Sequence, residues 1–404
     1  MRKPVRLAYF VTHPIQYQAP LLRRIAADPA IELKVFFATG YSLRRHYDPG
    51  FGREIAWDID LLGGYDHEFL PCLGSDAEMT PLKPFNYGMV KRLRRGRFDA
   101  VWFHSYARVP HLIAMITARA MGMKVFLRDE ANSFSSRPGP ARLFVKRIFL
   151  AFLKRILNGN LTIGTLNKEH YRRIGVPEER LFRMPYAVDN EWFQQRIAEA
   201  AANREAFRRE LGLEPGRPVA LFAGKFIPRK RPQDLIAAFK AIVRDPAAGN
   251  PYLLIAGDGE MRDELTALAA DAPEGSIRFL GFRGQTELPP LYDIADVFVI
   301  PSEMEPWGLV TNEAMNAGIP IIATTEVGAA RDLVRDGENG FVLQPGNVAG
   351  LSAALLRIFS DAGLRARMGQ ASLRIINNWG FAEDVAGLKE ALRFYFGDRV
   401  PPAS

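Results

Sequence analysis

Short apolar runs alternate along the chain with longer segments in which apolar residues recur every three or four positions. The short runs are typical of buried parallel strands, and the longer segments are typical of amphipathic helices. This alternation predicts a parallel α/β architecture. The predicted strands of the first half are VRLAYFV, IELKVFFA, FDAVWFH, MKVFLR and LTIGT. Those of the second half are PVALFAG, PYLLIAG, SIRFLG, VFVIP and IPIIAT.

Two such sets of strands predict two doubly wound domains, and a chain of 404 residues is long for a single core. We place the boundary near MPYAVDNEWF, which gives a first domain over residues 1–188 and a second over residues 189–380. One segment, ARLFVKRIFLAFLKRILNG, forms a helix with Arg147, Lys154 and Arg155 on one face. It fits either a helix lying in a membrane interface or a core-packing helix with one wet edge.

Charge is distributed unequally between the two halves. The net charge is +8, yet residues 1–190 hold 30 Lys and Arg against 17 Asp and Glu, and the remainder holds 23 against 28. A basic domain suits nucleic acid, an anionic membrane surface or a phosphorylated substrate, and it also suits a merely solvated surface. The single cysteine, Cys72, excludes an intramolecular disulfide and fits a reducing cytosol. The apolar run near the N-terminus is too short for a signal peptide, and no stretch reaches the ~20 apolar residues of a membrane span.

The first loop of the chain, THPIQ, lies where a dinucleotide-binding domain carries its glycine-rich turn. It contains no glycine, so we expect nucleotide to bind in the second half and this loop to contact a different substrate. His13 and Gln16 are therefore candidate acceptor-binding residues, as are Arg128 and Glu130, at and just after the end of the strand MKVFLR.

The most specific stretch is PSEMEPWGLVTNEAMNAGIPIIATTEVGAARDLVRDGENGFVL. It runs from a strand end through a loop into a helix, at the sheet edge where α/β proteins bind ligands. The loop EPWGLV offers backbone amides for a diphosphate, while Glu305 and Glu313 offer acceptors for sugar hydroxyls. Either glutamate alone would also fit surface charge at a helix start.

This stretch resembles the donor-binding region of glycosyltransferase family 4, whose members are retaining, nucleotide-sugar-dependent enzymes of GT-B fold. The E-x7-E motif of that family falls on Glu305 and Glu313, and EAM-x-x-G-x-P also fits. The later VGAARDLVRDGENG departs at Ala329 and Asp332, where glycine and glutamate are usual. The loop AGKFIPRKRP, which begins at Ala223, resembles the G-R-L-x-x-x-K-G of the family.

In that second loop, Lys225 takes the usual arginine place, Lys230 the usual lysine place, and Arg231 replaces a glycine. Two cations beside a diphosphate stabilise it as a leaving group. The resemblance further implies that His104 contacts the donor sugar, and makes His104, Glu305, Lys230 and Lys225 the expected catalytic residues. The expected donor-binding residues are Gly224, Lys225, Lys230, Gly257, Gly259, Phe282, Arg283, Glu305, Pro306, Trp307, Gly308, Leu309, Val310 and Glu313.

The resemblance implies a GT-B architecture of two Rossmann-like doubly wound domains facing a central cleft, with a C-terminal helix over residues 381–404 returning to the first domain. The expected reaction is transfer of a hexose, with retention, from a UDP- or GDP-linked sugar to a glycan or polyprenyl-diphosphate-linked acceptor in envelope or exopolysaccharide synthesis. We expect no cofactor, no metal and no nucleic-acid partner, and we interpret Asp58 and Asp60, although spaced as D-x-D, as structural. The expected location is the cytoplasm or the inner face of the cytoplasmic membrane.

Two alternatives remain open. A nucleotide-sugar 2-epimerase shares the GT-B architecture and would convert its substrate without an acceptor. A catalytically silent binding subunit of a polysaccharide assembly complex would keep the fold without donor turnover.

Overall fold

The computed structural model describes residues 3–74, 80–134 and 139–402 of the chain. Each of the ten strands expected from the sequence is present. The strands are β1 (Val5–Val11), β2 (Ile31–Phe37), β3 (His46–Asp48), β4 (Arg53–Ile55), β5 (His67–Phe69), β6 (Cys72–Leu73), β7 (Phe85–Asn86), β8 (Ala100–His104), β9 (Lys124–Arg128), β10 (Gly159–Thr162), β11 (Leu181–Arg183), β12 (Val219–Ala223), β13 (Tyr252–Ala256), β14 (Ile277–Gly281), β15 (Val297–Ile300), β16 (Ile321–Thr324) and β17 (Gly340–Leu343).

Helices follow most of the longer strands, as the alternating pattern predicts. They are α1 (Gln18–Ala27), α2 (Met89–Gly96), α3 (Val109–Ala120), α4 (Pro140–Ile156), α5 (Thr165–Arg173), α6 (Asn190–Ala201), α7 (Arg204–Glu210), α8 (Pro232–Ile242), α9 (Arg262–Ala269), α10 (Leu288–Ile294), α11 (Val310–Met315), α12 (Gly328–Leu333), α13 (Val348–Ser360), α14 (Ala362–Ile376) and α15 (Phe381–Phe396).

The chain divides into two compact units. Unit 1 consists of Met1–His46, Ile59–Ala187 and Phe381–Ser404, and unit 2 consists of Tyr47–Asp58 and Val188–Gly380. The division after Ala187 lies one residue from the boundary expected from the sequence. The assignment of Tyr47–Asp58 to unit 2 was not predicted, because nothing in the local composition of that segment distinguishes it from its neighbours.

Unit 1 contains a parallel sheet in the order β11-β10-β9-β8-β1-β2-β5. Its central strands are fully buried on both faces, and aromatic side chains fill the layer between sheet and helices. Strand order reverses between β1 and β8, so the loops that leave their carboxyl ends diverge and leave a crevice, the usual ligand position in such sheets. Thr12–Gln16 follows β1, and His104 ends β8.

Helix α15 packs within unit 1 against β11 and α1. The contact with β11 is close, because a Cβ on Gly387 would lie 1.8 Å from the carbonyl oxygen of Arg183. Lys389 on this helix also pairs with Asp28 at 2.9 Å. The C-terminal helix is therefore an integral part of unit 1.

Unit 2 contains a parallel sheet in the order β14-β13-β12-β15-β16-β17. Numbered from its own first strand, this is the 3-2-1-4-5-6 order of dinucleotide-binding folds. The switch point lies between β12 and β15, which pair through Ala220 and Val297. We therefore expect the ligand site of unit 2 at the loops that follow these two strands.

Candidate functional site

Two of the predicted residues meet at the switch point of unit 2. Lys230 lies in the loop after β12 and Glu305 in the loop after β15, and the Lys230 Nζ contacts the Glu305 Oε2. Both side chains are largely buried, with 14% and 9% of their surfaces exposed. Arg229 adds a longer contact of 3.4 Å between its Nη1 and the same oxygen. The site therefore joins a cationic loop and a carboxylate that are 75 residues apart in sequence.

The loop that carries Glu305 is held in place by the first two residues of α12. The Gly328 amide donates to the Glu305 carbonyl at 3.0 Å, and the Ala329 amide donates to the Trp307 carbonyl at 2.9 Å. A Cβ on Gly328 would lie 2.1 Å from the Pro306 carbonyl oxygen. Glycine at this position of the VGAARD motif is therefore required for the start of α12 to lie against the EPWGLV loop.

The rest of the EPWGLV loop leads into α11, which begins at Val310 after Leu309. Gly308 has a φ of +90°, a conformation that favours glycine. The Trp307 ring is buried and stacks on Trp379 with 5.6 Å between ring centroids. The Trp307 side chain, which the sequence places among donor-binding residues, thus packs in the interior of unit 2.

Glu313 occupies a different environment from Glu305. It is fully buried on α11, and its Oε2 accepts a hydrogen bond of 2.6 Å from the Tyr292 hydroxyl of α10. Tyr292 was not predicted, since in the sequence it is one more apolar-face residue of a helix. The two carboxylates of the E-x7-E motif therefore have different partners, a cation for Glu305 and a phenol for Glu313.

The glycines after β13 support the backbone of the neighbouring loop. Gly257 has a φ of +148°, and a Cβ there would lie 1.9 Å from the Gly224 carbonyl oxygen. Gly259 has a φ of +152°, and a Cβ there would lie 2.6 Å from the Phe226 carbonyl oxygen. The resemblance placed both glycines among the expected donor-binding residues. In the structure, both are already required by the packing of protein backbone.

Arg231 stands where the family usually has glycine, and its backbone keeps the conformation that glycine favours. Its φ is +51°, the left-handed conformation that glycine adopts without strain. The guanidinium compensates by pairing with Asp234 at 2.6 Å and with Glu303 at 3.3 Å. The backbone geometry of a glycine is therefore retained here by an arginine that has two carboxylate partners.

Three further predicted donor residues, Lys225, Phe282 and Arg283, contact the Tyr47–Asp58 segment or a residue close by in sequence. The Lys225 Nζ donates to both Asp48 carboxylate oxygens, at 2.8 and 2.9 Å. The Phe282 ring meets the Phe51 ring edge-on, with 4.8 Å between centroids. Arg283 pairs with Glu287 at 3.0 Å. Asp48 and Phe51 are residues that sequence reasoning missed.

A polar cluster surrounds His104 at the switch point of unit 1. The His104 Nδ1 lies 3.1 Å from the Gln18 amide nitrogen, and its Nε2 lies 3.5 Å from the Tyr186 hydroxyl. The Tyr9 hydroxyl donates to the Gln18 carbonyl oxygen at 2.6 Å. Burial, together with the positive charge of Arg128, lowers the pKa of His104 to about 3. The imidazole is therefore neutral near pH 7, with one nitrogen able to donate and one able to accept.

The first loop is partly enclosed as well. The His13 Nδ1 lies 2.9 Å from the Thr12 hydroxyl, and its ring packs against Tyr41 with 4.7 Å between centroids. Burial, together with His46, lowers the pKa of His13 to about 4. Gln16 is 8% exposed. Of the two glutamines near the start of α1, it is the unpredicted Gln18 that contacts His104.

Arg128 and Glu130 differ sharply in exposure. Arg128 is 1% exposed, and its Nη2 donates to the carbonyls of Met184 and Pro185 at 3.0 Å each and to Asp384 at 2.9 Å. Glu130 is exposed and accepts a 3.2 Å hydrogen bond from the Tyr186 hydroxyl. The bonds of Arg128 connect β9 to α15, which favours a structural role over acceptor binding.

The D-x-D pair is divided between the two units. Asp58, in unit 2, accepts from the Thr286 amide at 2.9 Å. Asp60, in unit 1, accepts from the amides of Leu62 and Gly63 at 3.0 Å each. Asp60 thus stabilises a local turn, whereas Asp58 connects its segment to Thr286, 228 residues later in the chain. Within the described parts of the chain, no three His, Cys, Asp or Glu side chains cluster as a metal site would require.

Part of the chain is similar in sequence to known glycosyltransferases. Residues 203–374, which lie in unit 2, match the family model of glycosyl transferases group 1. The lipopolysaccharide core biosynthesis glycosyltransferase LpsE of Rhizobium meliloti is 36% identical over 164 residues, 40% of this chain and 46% of LpsE. The match thus spans less than half of that relative, and the two other leading relatives are matched over 40% and 43% of their lengths.

Solved structures match nearly the whole chain. A glycosyltransferase from Rickettsia africae superposes with a TM-score of 0.73 at 14% identity, covering 98% of this chain and 99% of the other. HepE from Anabaena, solved in complex with UDP, gives a TM-score of 0.71 at 17% identity over 96% and 99%. The fold of this chain is therefore GT-B, with two Rossmann-like domains.

Proposed function

We propose that this chain is a retaining glycosyltransferase that moves a hexose from a UDP- or GDP-linked sugar to a glycan or lipid-linked glycan acceptor in envelope or exopolysaccharide synthesis. The observation that carries the proposal is the Lys230–Glu305 pair at the switch point of unit 2, within the segment that matches glycosyl transferases group 1. HepE, a protein of the same fold, has also been solved with UDP-glucose.

In the proposed reaction, the bond between the anomeric carbon and the diphosphate oxygen breaks, and a bond from the acceptor hydroxyl forms on the same face of the sugar. Because the acceptor attacks the face from which the diphosphate leaves, retention needs no protein nucleophile, and the departing diphosphate accepts the proton of the acceptor hydroxyl. Lys225 and Lys230 stabilise the charge that develops on the diphosphate, together with the backbone amides of the EPWGLV loop. These cations supply the counter-charge without a metal ion.

The carboxylates and the histidine are proposed to bind hydroxyl groups. Glu305 orients the transferred sugar and Glu313 anchors the ribose, since ionised carboxylates accept strongly from hydroxyl donors. His104 contacts a sugar hydroxyl as a neutral donor or acceptor, and Gln18 and Tyr186 fix the orientation of its ring. A neutral imidazole can donate and accept hydrogen bonds without adding charge.

Thermal unfolding with UDP, GDP, ADP and CDP in EDTA tests the donor site. We expect one nucleotide at about 100 times its dissociation constant to add ~2.7 kcal/mol and to raise the unfolding midpoint by roughly 5–10 °C. Glu313→Gln should lose this shift, measured from its own ligand-free midpoint. The exposed Glu338→Gln, in the same unit, is the matched control and should keep it.

A flat response of the wild type to all four nucleotides would contradict the proposed donor site and would favour a silent binding subunit. Conversion of a nucleotide sugar without an acceptor would instead favour the epimerase. A shift that appears only after a divalent ion is added would contradict transfer without a metal.

The acceptor side of the proposal includes a lipid surface. Helix α4 buries Leu150, Leu153 and Ile156 in the core of unit 1, so one face packs as a core helix does. Its opposite face exposes Phe144, Val145, Ile148 and Phe152 by 48–65%, with Arg147 and Arg155 also exposed. An exposed apolar stripe beside arginines fits the headgroup region of an anionic membrane. Among the described helices, none is both long and apolar enough to cross a membrane.

Vesicle sedimentation tests this surface. The triple variant Phe144→Ser, Ile148→Ser and Phe152→Ser should bind phosphatidylglycerol vesicles at least about tenfold more weakly than the wild type, because buried apolar groups contribute most of the affinity. Phe394→Ser, which removes an equally exposed aromatic residue from α15, is the matched control and should bind normally. Equal binding by the wild type and the triple variant would contradict a membrane role for α4.

A further inference from the structure

Residues Tyr47–Asp58 lie across three of the four loops of unit 2 to which donor binding is assigned, those after β12, β13 and β14. At the loop after β12, the segment passes so close to Lys225 that a Cβ on Gly50 would lie 2.6 Å from the Lys225 Cδ. The Lys225 ammonium also lies 4.8 Å from the centre of the Phe51 ring. The segment therefore covers one of the two cations proposed to bind the diphosphate.

The same segment contacts the loops after β13 and β14. The Arg53 guanidinium lies 3.8 Å from Asp258, and a Cβ on Gly259 would lie 2.9 Å from the Gly50 carbonyl oxygen. Beyond the Phe51–Phe282 ring contact, the Asp58 carboxylate accepts from both the amide and the hydroxyl of Thr286. Three consecutive strand ends thus share one covering segment.

The Asp48 carboxylate is held in a fixed position against the Lys225 ammonium. The Gly50 and Phe51 amides donate to its Oδ1 at 2.8 and 3.2 Å, which holds the carboxylate in a turn. Burial raises the pKa of Asp48, but the hydrogen bond and charge of Lys225 and the two amides outweigh it, so the pKa is lowered overall. A carboxylate with two oxygens on one ammonium resembles a phosphate group in charge and in donor preference.

We propose that Tyr47–Asp58, here named the donor strap, closes the donor site. In this closed state the Asp48 carboxylate binds Lys225 at the position that a phosphate of the nucleotide diphosphate takes when the donor is bound. The inference rests on the proposed function and adds regulation of the same site. Donor binding then requires the strap to release Lys225, so Asp48 competes with the diphosphate and lowers its apparent affinity.

Calorimetric titration with inorganic pyrophosphate, UDP and GDP tests the donor strap. Asp48→Asn removes the charge but keeps the oxygen that holds the turn, and it should bind pyrophosphate and the preferred nucleotide about tenfold more tightly than the wild type. Glu54→Gln makes the same charge change at an exposed position of the strap and should leave binding unchanged. In hydrogen exchange, the Gly50 and Phe51 amides of the wild type should exchange faster when nucleotide is bound.

If Asp48→Asn binds nucleotide as weakly as the wild type or more weakly, while the wild type does bind, Asp48 does not compete with the diphosphate. That result would overturn the strap proposal and leave the proposed function intact. Slower exchange of the Gly50 and Phe51 amides with nucleotide would also overturn it, because the strap would then close over the donor. Failure of all three proteins to bind any probe would contradict the strap and the proposed function together.

Discussion

Replacing Lys230 with alanine is expected to lower the rate of glycosyl transfer by about a thousandfold. The lysine is largely buried at the switch point of unit 2, where a charge directed at the leaving group contributes most to the transition state. The loss should appear mainly in kcat, since the charge on the diphosphate grows as the bond breaks. Initial rates with the donor identified by thermal unfolding, measured beside the unfolding midpoint of each variant, would establish the effect.

The adjacent Arg229 provides the matched control. It also contacts Glu305, yet its side chain is 41% exposed and its distance is 3.4 Å. Solvent screens such a charge, so Arg229→Ala should lower the rate by less than about tenfold. Similar losses in both variants would contradict a specific role for Lys230 and would indicate that both cations near Glu305 are needed.

Arg128→Met should destabilise the protein by about 3–5 kcal/mol, because it leaves the buried Asp384 carboxylate without its cation. Both side chains are 1% exposed, and the ion pair measures 2.9 Å. The double variant Arg128→Met, Asp384→Leu should recover much of this loss, since no charge then remains buried. Denaturant unfolding of the wild type, Arg128→Met, Asp384→Leu and the double variant gives the coupling energy between the two side chains.

Activity of the double variant separates a structural Arg128 from one that binds acceptor. If Arg128 only connects β9 to α15, the stabilised double variant should transfer sugar at nearly the wild-type rate. Recovered stability without recovered transfer would instead support the acceptor-binding role expected from the sequence.

The central strands could be predicted because each is buried on both faces, which requires an uninterrupted apolar run. The strands that were missed have partly exposed residues, as in β3 and β17, or only two or three residues, as in β6 and β11. Such strands lack a pattern that distinguishes them from loops. The strand order of both sheets could not be predicted from the sequence either. That order places His104 beside the first loop and Lys230 beside Glu305.

Residues of the candidate site could be predicted where a loop motif carries them, as with Glu305 and Lys230. Their partners could not, because the partners come from elements distant in sequence and of ordinary composition. Asp48 lies 177 residues before Lys225, and Tyr292 lies on a different helix from Glu313. The burial of polar side chains could not be predicted from the sequence either. Arg128, at the end of β9, reads in the sequence as a surface cation, but in the structure it is buried.

The ion pair between Arg128 and Asp384 also constrains the order of events during protein synthesis. The two residues are 256 positions apart, and at roughly 5–20 residues per second the ribosome adds Asp384 tens of seconds after Arg128. Throughout that interval Arg128 lacks the Asp384 carboxylate that later pairs with it, while Val188–Gly380, the larger part of unit 2, is synthesised. Unit 2 is thus able to fold first, although its earliest-made segment, the donor strap, must wait for the rest of it. Residues 1–187 expressed alone would lack Asp384, so the buried Arg128 would stay without this counter-charge. A separately produced first unit therefore needs α15 in the same polypeptide.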